Sequence, residues 1–537
     1  MRYDSPVPHY HVENFGCRAT QSDGAAIERQ FEERGLTRAS TPAQADLLVI
    51  NSCTVTAAAD SDARAAIRRF QRQNPAAKIV VTGCYAQRAP QEVAALPGVA
   101  CVIGNSHKHQ LAELALANPV DAEPRDREAH DLGRADKTSK RPAPFPAERV
   151  AFVPLATLSA PGQRPTTNDQ RPIYVSDIFA HTELQAAPLF DTAGDSHENQ
   201  RTRPNLKVQD GCDNRCSFCV IPYVRGQSRS LPLHQVLAEV NALVAAGYRE
   251  VVISGINLGR WGRDLPGFRL QASGFRTPEA AFLKPEARSP KPGFEELLRA
   301  ILSETRLEKL RISSVEPMDW TDDLITLVAH SPRIAKHAHV PLQSGSDAVL
   351  RRMHRKYRPW HYREKIEKIR AAMPTAAIGA DVMVGFPGET EAEFESTRRL
   401  IADLPFTYLH VFTYSPRPGT PAADMPNQVP GHVARERNQI LRDLASEKKQ
   451  AFLRTFIGKK VKAITLGNSS SSCHSEPLPA GPTRGESERG ISGSVFTESL
   501  TDNYQKLYLR GRHAPNRWVT AHIVGVEEGS LVGSREV

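Results

Sequence analysis

The stretch Leu206-Lys-Val-Gln-Asp-Gly-Cys212-Asp-Asn-Arg-Cys216-Ser-Phe-Cys219 decides how the rest of the chain is read. Three cysteines at CxxxCxxC spacing sit just after a short apolar run (Leu206 to Val208). Three thiolates this close are not ordinary core packing. Structural zinc wants four protein ligands in a tetrahedron, and no fourth Cys or His lies nearby in the sequence. Three thiolates suit a [4Fe–4S] cube that keeps one iron open, whereas four would close it.

Outward from this stretch, residues 205 to 457 alternate compact apolar runs with helical patterns. The expected strands are Leu206–Gln209, Glu250–Ser254, Lys309–Ser313, His337–Leu342, Gly379–Val384 and Tyr408–Thr413. Helical spacing separates them at Leu233–Ala246, Phe294–Ser303, Asp322–Ala329, Trp360–Ala372 and Glu391–Ile401. Thr390 with Glu393 predicts a capping box at the start of the last of these. Six βα units in a row predict a parallel sheet curved into a partial (β/α)6 barrel. Chemistry in such folds sits at the carboxyl ends of the strands, where Cys212 falls.

The first ~110 residues repeat the theme in an open parallel α/β arrangement. Expected strands are His11–Phe15, Ala45–Ile50, Lys78–Thr82 and Val99–Ile103, with helices over Ala25–Arg34 and Ala58–Gln73. Cys17, Cys53 and Cys84 each come just past the end of one strand, the edge at which open α/β sheets bind ligands. They make a second candidate trio; the competing reading is three separate buried thiols. Cys101, inside a strand, reads as a small buried hydrophobe, and Cys473 as an incidental thiol in a Ser-rich insert. Beyond a long helix at Ala434–Ile457, alternation over Lys460–Leu466, Gln505–Leu509 and Trp518–Val526 predicts a small β-barrel of the kind that often binds nucleic acid.

The expected domains are 1–119 (open α/β), 120–170 (linker), 171–457 (barrel, with an irregular insertion at 263–292) and 458–537 (β domain, with a Ser-rich insertion at 469–492). The chain has 537 residues, with 69 Lys+Arg against 60 Asp+Glu and a formal net charge of +9. That excess fits a polyanionic partner or simply a mildly basic enzyme. No apolar run approaches the ~20 residues of a membrane span, and Asp4, His9 and His11 stand where a signal peptide would be apolar. A cytoplasmic enzyme is therefore expected, with cysteines serving metal or catalysis before disulfides.

CxxxCxxC after the first strand of a βα series resembles the radical S-adenosylmethionine (SAM) superfamily. The resemblance implies that the open iron binds SAM, which is cleaved to a 5′-deoxyadenosyl radical. It further implies Phe218, Ser254, Gly255, Asn257 and Glu316 as SAM-binding positions. The whole set (trio Cys17, Cys53, Cys84; trio Cys212, Cys216, Cys219; terminal β domain) resembles the methylthiotransferases over about 10–107, 171–262, 294–466 and 493–530. That family implies two [4Fe–4S] clusters, one making the radical and an auxiliary one presenting sulfur. It also implies an electron donor such as flavodoxin or ferredoxin, and a TRAM-like terminal domain. Three branches act on isopentenylated adenosine in tRNA, a ribosomal-protein aspartate, or threonylcarbamoyladenosine in tRNA. Asn51-Ser52-Cys53-Thr54-Val55-Thr56, Val81-Thr82-Gly83-Cys84-Tyr85-Ala86-Gln87 and Pro341-Leu342-Gln343-Ser344-Gly345-Ser346 look like the third. A protein substrate, or a zinc-stabilised nucleic-acid-binding protein without catalysis, are the competing functions.

Candidate RNA contacts are Arg351, Arg352, Arg355 and Lys356 after the fourth barrel strand, and Lys506 and Arg510 in the terminal domain. Tyr504 and Tyr508 are candidate base-stacking rings, with one of the two expected in the core. Two departures from the family pattern stand near Cys17: Thr20 replaces a usual Asn, and Asp23-Gly24 replaces a usual acidic-Ser pair.

Overall fold

The computed structural model describes residues 8–117, 171–181, 184, 202–265, 293–467 and 496–536. The expected linker 120–170, most of the insertion 263–292, the insertion 469–492 and Cys473 lie outside these. The described chain divides into two compact units.

The first unit is built on a six-stranded parallel sheet. Its strands are β1 (His9–Asn14), β2 (Thr37–Arg38), β3 (Leu47–Ser52), β4 (Lys78–Gly83), β5 (Val99–Gly104) and β6 (Ile173–Tyr174), in the order β2-β1-β3-β4-β5-β6. β3 is buried along its whole length, as continuous apolar runs in parallel sheets demand. Cores form on both faces: Ile50, Ile67, Phe70 and Val81 on one, Tyr10, Phe31, Val49 and Ile103 on the other. β6 pairs with β5, with Val102 opposite Ile173. The expected domain boundary at 171 is therefore corrected: the chain is still completing this sheet there.

Two later segments, Phe218–Gly226 and Ser415–Asp424, also belong to the first unit. Each brings an arginine to a buried carboxylate. Arg225 lies 2.9 Å from Asp23, which also pairs with Lys108 at 3.0 Å. Arg417 pairs with Asp60, which also meets Arg88 at 3.0 Å and accepts the Thr54 hydroxyl at 2.6 Å. Buried charges persist only when paired and hydrogen-bonded in this way.

The second unit carries β7 (Asn205–Asp210), β8 (Arg229–Ser230), β9 (Glu250–Gly255), β10 (Lys309–Ile312), β11 (His337–His339), β12 (Ala377–Val384) and β13 (Tyr408–Thr413). They form sheets of order β10-β9-β7-β8 and β11-β12-β13, joined by parallel bridges Leu310–Ile334 and Ser314–His339. All six expected barrel strands are present within a few residues. β8 is an addition, antiparallel to β7. The Thr390–Glu393 capping box forms in both directions, at 3.3 and 2.8 Å.

Strand alternation sorts the barrel's side chains. Ala338, Val340, Ala380, Val382 and Val411 enter the core packed by the helices. The intervening positions, including Glu250, Arg311, His337, His339, Asp381, Tyr408 and His410, put polar groups on the opposite, inward face.

The terminal domain of this unit is a closed barrel of β14 (Lys460–Thr465), β15 (Phe496–Thr501), β16 (Lys506–Arg510), β17 (Trp518–Glu527) and β18 (Ser530–Arg535). β15 and β18 were not among the expected strands. The β15–β16 turn reaches the base of the larger barrel. Arg311 donates to the carbonyls of Thr501 and Asp502 at 3.4 and 3.3 Å, and its guanidinium lies 5.2 Å from the Tyr504 ring. Tyr504 also approaches His337 and Tyr408, at 4.7 and 6.4 Å between centroids. Among the described residues, no helix is long and apolar enough to cross a membrane.

Candidate cluster sites

In the first unit, the loops leaving β1, β3 and β4 are neighbours because their strands are neighbours. Cys17 is the N-cap of helix Arg18–Glu32. Cys53 follows β3, and Cys84 opens a short helix after β4. Gly16, at φ +101°, lets the first loop lie against the second: a Cβ there would sit 2.5 Å from Cys53 Cβ and 2.8 Å from its Sγ. Gly83, at φ +96°, allows the third loop to pass the Ser52 carbonyl, 2.3 Å from where a Cβ would stand. Burial pushes the Cys53 thiol up to about 12, and the charges of Cys17 and Cys84 add to the rise; the Val55 N–H and Arg225 oppose it. Cys17 and Cys84 lie close enough to Cys53 for their charges to act on it, and a cation bound among the three would deprotonate coordinating thiols.

The surroundings are built for negative charge. Lys108 and Arg225 flank Asp23, and Lys108 also reaches Asn51 at 3.3 Å. Asn105 donates to Cys84 Sγ at 3.5 Å, and the Thr20 hydroxyl lies 3.6 Å from Cys17 Sγ. Both departures near Cys17 acquire a reason. Thr20 supplies a hydroxyl beside the sulfur. Gly24 leaves room for Asn14, whose amide oxygen is 2.0 Å from where a Cβ would be. Cys101 is buried in the sheet core beside Val80 and Ile103, apart from the trio, as expected of a small hydrophobe.

In the second unit, β7 ends at Asp210 and Gly211 (φ +72°) turns the chain into the cysteine loop. Gln209, fully buried, braces that turn. It donates to the carbonyls of Asp210 and Gly211 at 3.0 and 2.8 Å, and accepts the Asn257 N–H at 2.7 Å. Cys212 Sγ receives the Asn214 N–H at 3.4 Å and the Asn257 amide at 3.6 Å. Cys216 Sγ receives Arg355 at 3.2 Å. Ser217 ties the loop down, its N–H and hydroxyl donating to the carbonyls of Met353 and Arg352 at 3.1 and 2.7 Å. Phe218 and Cys219 are half-buried and begin the segment Phe218–Gly226, which belongs to the first unit. A cleft is lined by Asn214, Cys216, Glu316, His354, Arg355 and Lys356.

Of the expected SAM positions, Asn257 touches a cysteine sulfur and Glu316 lines the cleft, paired with Arg355. Ser254 is buried with its hydroxyl unpartnered, and Gly255 packs on Gln209, within 3.0 Å of where a Cβ would stand.

The RNA candidates separate. Arg351 is exposed and pairs with Asp347; Lys356 and Arg510 are exposed. Arg352 is held by both Glu393 oxygens, at 3.0 and 2.8 Å. Lys506 pairs with Glu498 at 2.6 Å and lies over the Tyr508 ring. Arg355 is a correction: it is buried between Cys216 and Glu316, so it serves the sulfur rather than a phosphate. Of the two tyrosines, Tyr504 is the one that packs inside, at the barrel base. Sequence reasoning missed Gln209, Asn105 and the role of Arg225. Their signal was only an amide or a cation beside a cysteine loop, and the partners are remote in sequence.

Residues 9–104 match uncharacterized protein family UPF0004, and residues 206–401 match the radical SAM superfamily. The threonylcarbamoyladenosine tRNA methylthiotransferase MtaB of Bacillus subtilis (strain 168) is 34% identical over 443 residues, covering 80% of this chain and 81% of its own length. The chain belongs to the radical SAM methylthiotransferase family. The protein of the same name from Rickettsia prowazekii (strain Madrid E) is 33% identical over 463 residues, covering 85% and 87%. The tRNA-2-methylthio-N(6)-dimethylallyladenosine synthase of Sphingopyxis alaskensis is 31% identical over 467 residues, covering 86% and 88%. Radical SAM methylthiotransferases use SAM and [4Fe–4S] clusters. The donor sets described above fit such clusters: sulfur ligands, with amide and guanidinium donors aimed at the sulfurs.

Proposed function

We propose that this enzyme adds a methylthio group to C2 of N6-threonylcarbamoyladenosine, next to the anticodon of tRNA. The observation that carries the substrate is the pair of relatives named for it, at 34% and 33% identity over most of the chain. The runner-up is dimethylallyladenosine, the substrate named for a relative at 31%. Cys212, Cys216 and Cys219 would hold the cluster that binds SAM, and Cys17, Cys53 and Cys84 the auxiliary cluster. When bound, these groups supply the radical, the sulfur and the methyl group.

The chain's own residues do the rest. Asn257 and Arg355 donate to Cys212 and Cys216, and would draw charge from the sulfurs of a cluster held there, easing its reduction. Arg355 also fixes the Glu316 carboxylate at the cleft, where it can accept hydrogen bonds from a ribose. Lys108 and Arg225 offset negative charge at the auxiliary trio. Arg351, Lys356 and Arg510 are the exposed cations offered to phosphates. A flavodoxin or ferredoxin as electron donor and a cytoplasmic site of action belong to the same reading.

The test is nucleoside mass spectrometry of tRNA from a deletion strain. Loss of the methylthio group from threonylcarbamoyladenosine alone supports the reading. Loss from dimethylallyladenosine instead transfers the protein to the other branch.

A further inference from the structure

His339, Asp381 and His410 stand on three successive strands of the larger barrel, on its polar inward face. Asp381 and His410 are direct register partners on β12 and β13. His339 ends β11, beside the Ser314 bridge. One ligand atom from each of the three lies within 4.8 Å of the others. His339 Nε2 is 3.3 Å from Asp381 Oδ1. That separation equals the edge of a tetrahedron with bonds of about 2.0–2.1 Å, the length of zinc bonds to nitrogen and oxygen.

The His339 ring is also held as metal ligands are held. Metal-binding histidines almost always engage the second ring nitrogen elsewhere, which fixes tautomer and orientation. Here His339 Nδ1 is 2.6 Å from the Ser314 hydroxyl. His339 is buried, and its Nε2 makes no hydrogen bond although Asp381 is near. Tyr408 stacks on His339 at 5.9 Å and meets His410 edge-on at 5.4 Å; its hydroxyl is anchored by His337 Nε2 at 2.7 Å. Gly379 permits this, since a Cβ there would stand 1.9 Å from the Tyr408 ring.

We propose that His339, Asp381 and His410 bind a divalent first-row metal ion of the zinc class, separate from the cysteine clusters. Two imidazoles and a carboxylate are a borderline N/O donor set, suited to such ions and not to an iron–sulfur cube. Three protein ligands leave a coordination position for water or a ligand oxygen. The proposal is independent of which adenosine is modified.

The test uses the full chain with its clusters loaded, so that the thiolates are occupied by iron. Equilibrium dialysis against zinc, read by metal analysis, should give about one zinc per chain. X-ray absorption at the zinc edge should show imidazole nitrogen and oxygen, with no sulfur at about 2.3 Å. Ser314→Ala should weaken zinc binding about tenfold. Asp381→Asn and His410→Ala should weaken it more, with iron content and tryptophan-detected unfolding unchanged. Zinc uptake no greater than a buffer blank, equal uptake by the Asp381→Asn/His410→Ala chain, or sulfur in the zinc shell would each overturn the proposal. So would loss of tRNA product in these variants without any zinc in the parent chain.

Discussion

Replacing Glu250 with glutamine tests whether one ion pair holds the base of the larger barrel. Glu250 and Arg311 are both fully buried. They meet at 2.7 Å, and Arg203 is 3.5 Å from the same carboxylate oxygen. At an effective dielectric constant of about 20, charges 2.7 Å apart attract by about 6 kcal/mol. Desolvation costs several kcal/mol per ion, so the net worth of the pair is small while the cost of breaking it is large. Glu250→Gln leaves a buried guanidinium with a neutral amide oxygen, the Thr501 and Asp502 carbonyls and the Tyr504 ring, and no full countercharge at residue 250. The expected loss is about 3 kcal/mol, the lower end of the range for a broken buried pair because glutamine still accepts one hydrogen bond. Removing both charges, with Glu250→Leu and Arg311→Met together, should return stability to within about 1 kcal/mol of the parent or above it. All four tryptophans (Trp261, Trp320, Trp360 and Trp518) lie in this unit, so urea unfolding followed by their fluorescence reads the effect directly. A single variant within about 0.5 kcal/mol of the parent, or a double variant no better than the single, refutes the reasoning.

Acid should act through the same pair. Burial disfavours the charged Glu250, but Arg311 and Arg203 more than reverse it and hold the carboxyl below its ordinary value. Its stabilisation is therefore complete above the unfolded value of about 4.3 and is lost as pH falls through the lower folded value. Urea midpoints measured from pH 6 downward should decline less in the charge-free double variant. Cys216→Ala should abolish SAM cleavage, whereas Cys53→Ala should leave it and stop methylthio product; 5′-deoxyadenosine and modified nucleoside, measured together, separate the two. Gly16→Ala forces a left-handed backbone costing about 1–2 kcal/mol and a Cβ into Cys53. Iron should drop from about eight toward about four per chain, with SAM cleavage retained.

Much of the layout was legible because its signals are local. The six barrel strands are compact apolar runs bounded by turns. The trios announce themselves by spacing, or by position at strand ends. β15 escaped because it borders the Ser-rich stretch. β18 escaped because Gly529 and Gly533 interrupt a short run. The boundary at 171 failed because two residues, Ile173 and Tyr174, carry no pattern of their own and form a strand only by adding to a finished edge. Arg355 looked like a surface cation because its partner Cys216 is 139 residues away. His339, Asp381 and His410 left a faint trace. Polar residues recur at alternate positions, as in His337-Ala338-His339 and Tyr408-Leu409-His410, within strands otherwise read as apolar.

The first unit borrows two of its counterions from far downstream. Asp23 and Asp60 each have one cation from their own region, Lys108 and Arg88, and a second that the ribosome delivers much later, Arg225 and Arg417. A nascent chain can lay down the sheet early, but it cannot finish neutralising that interior until residue 417 has emerged. The amino-terminal layer is therefore not a portable module. Excised at its apparent border, it would carry two acids each short of one cation, and the second of those cations, Arg417, is encoded only after the last barrel strand.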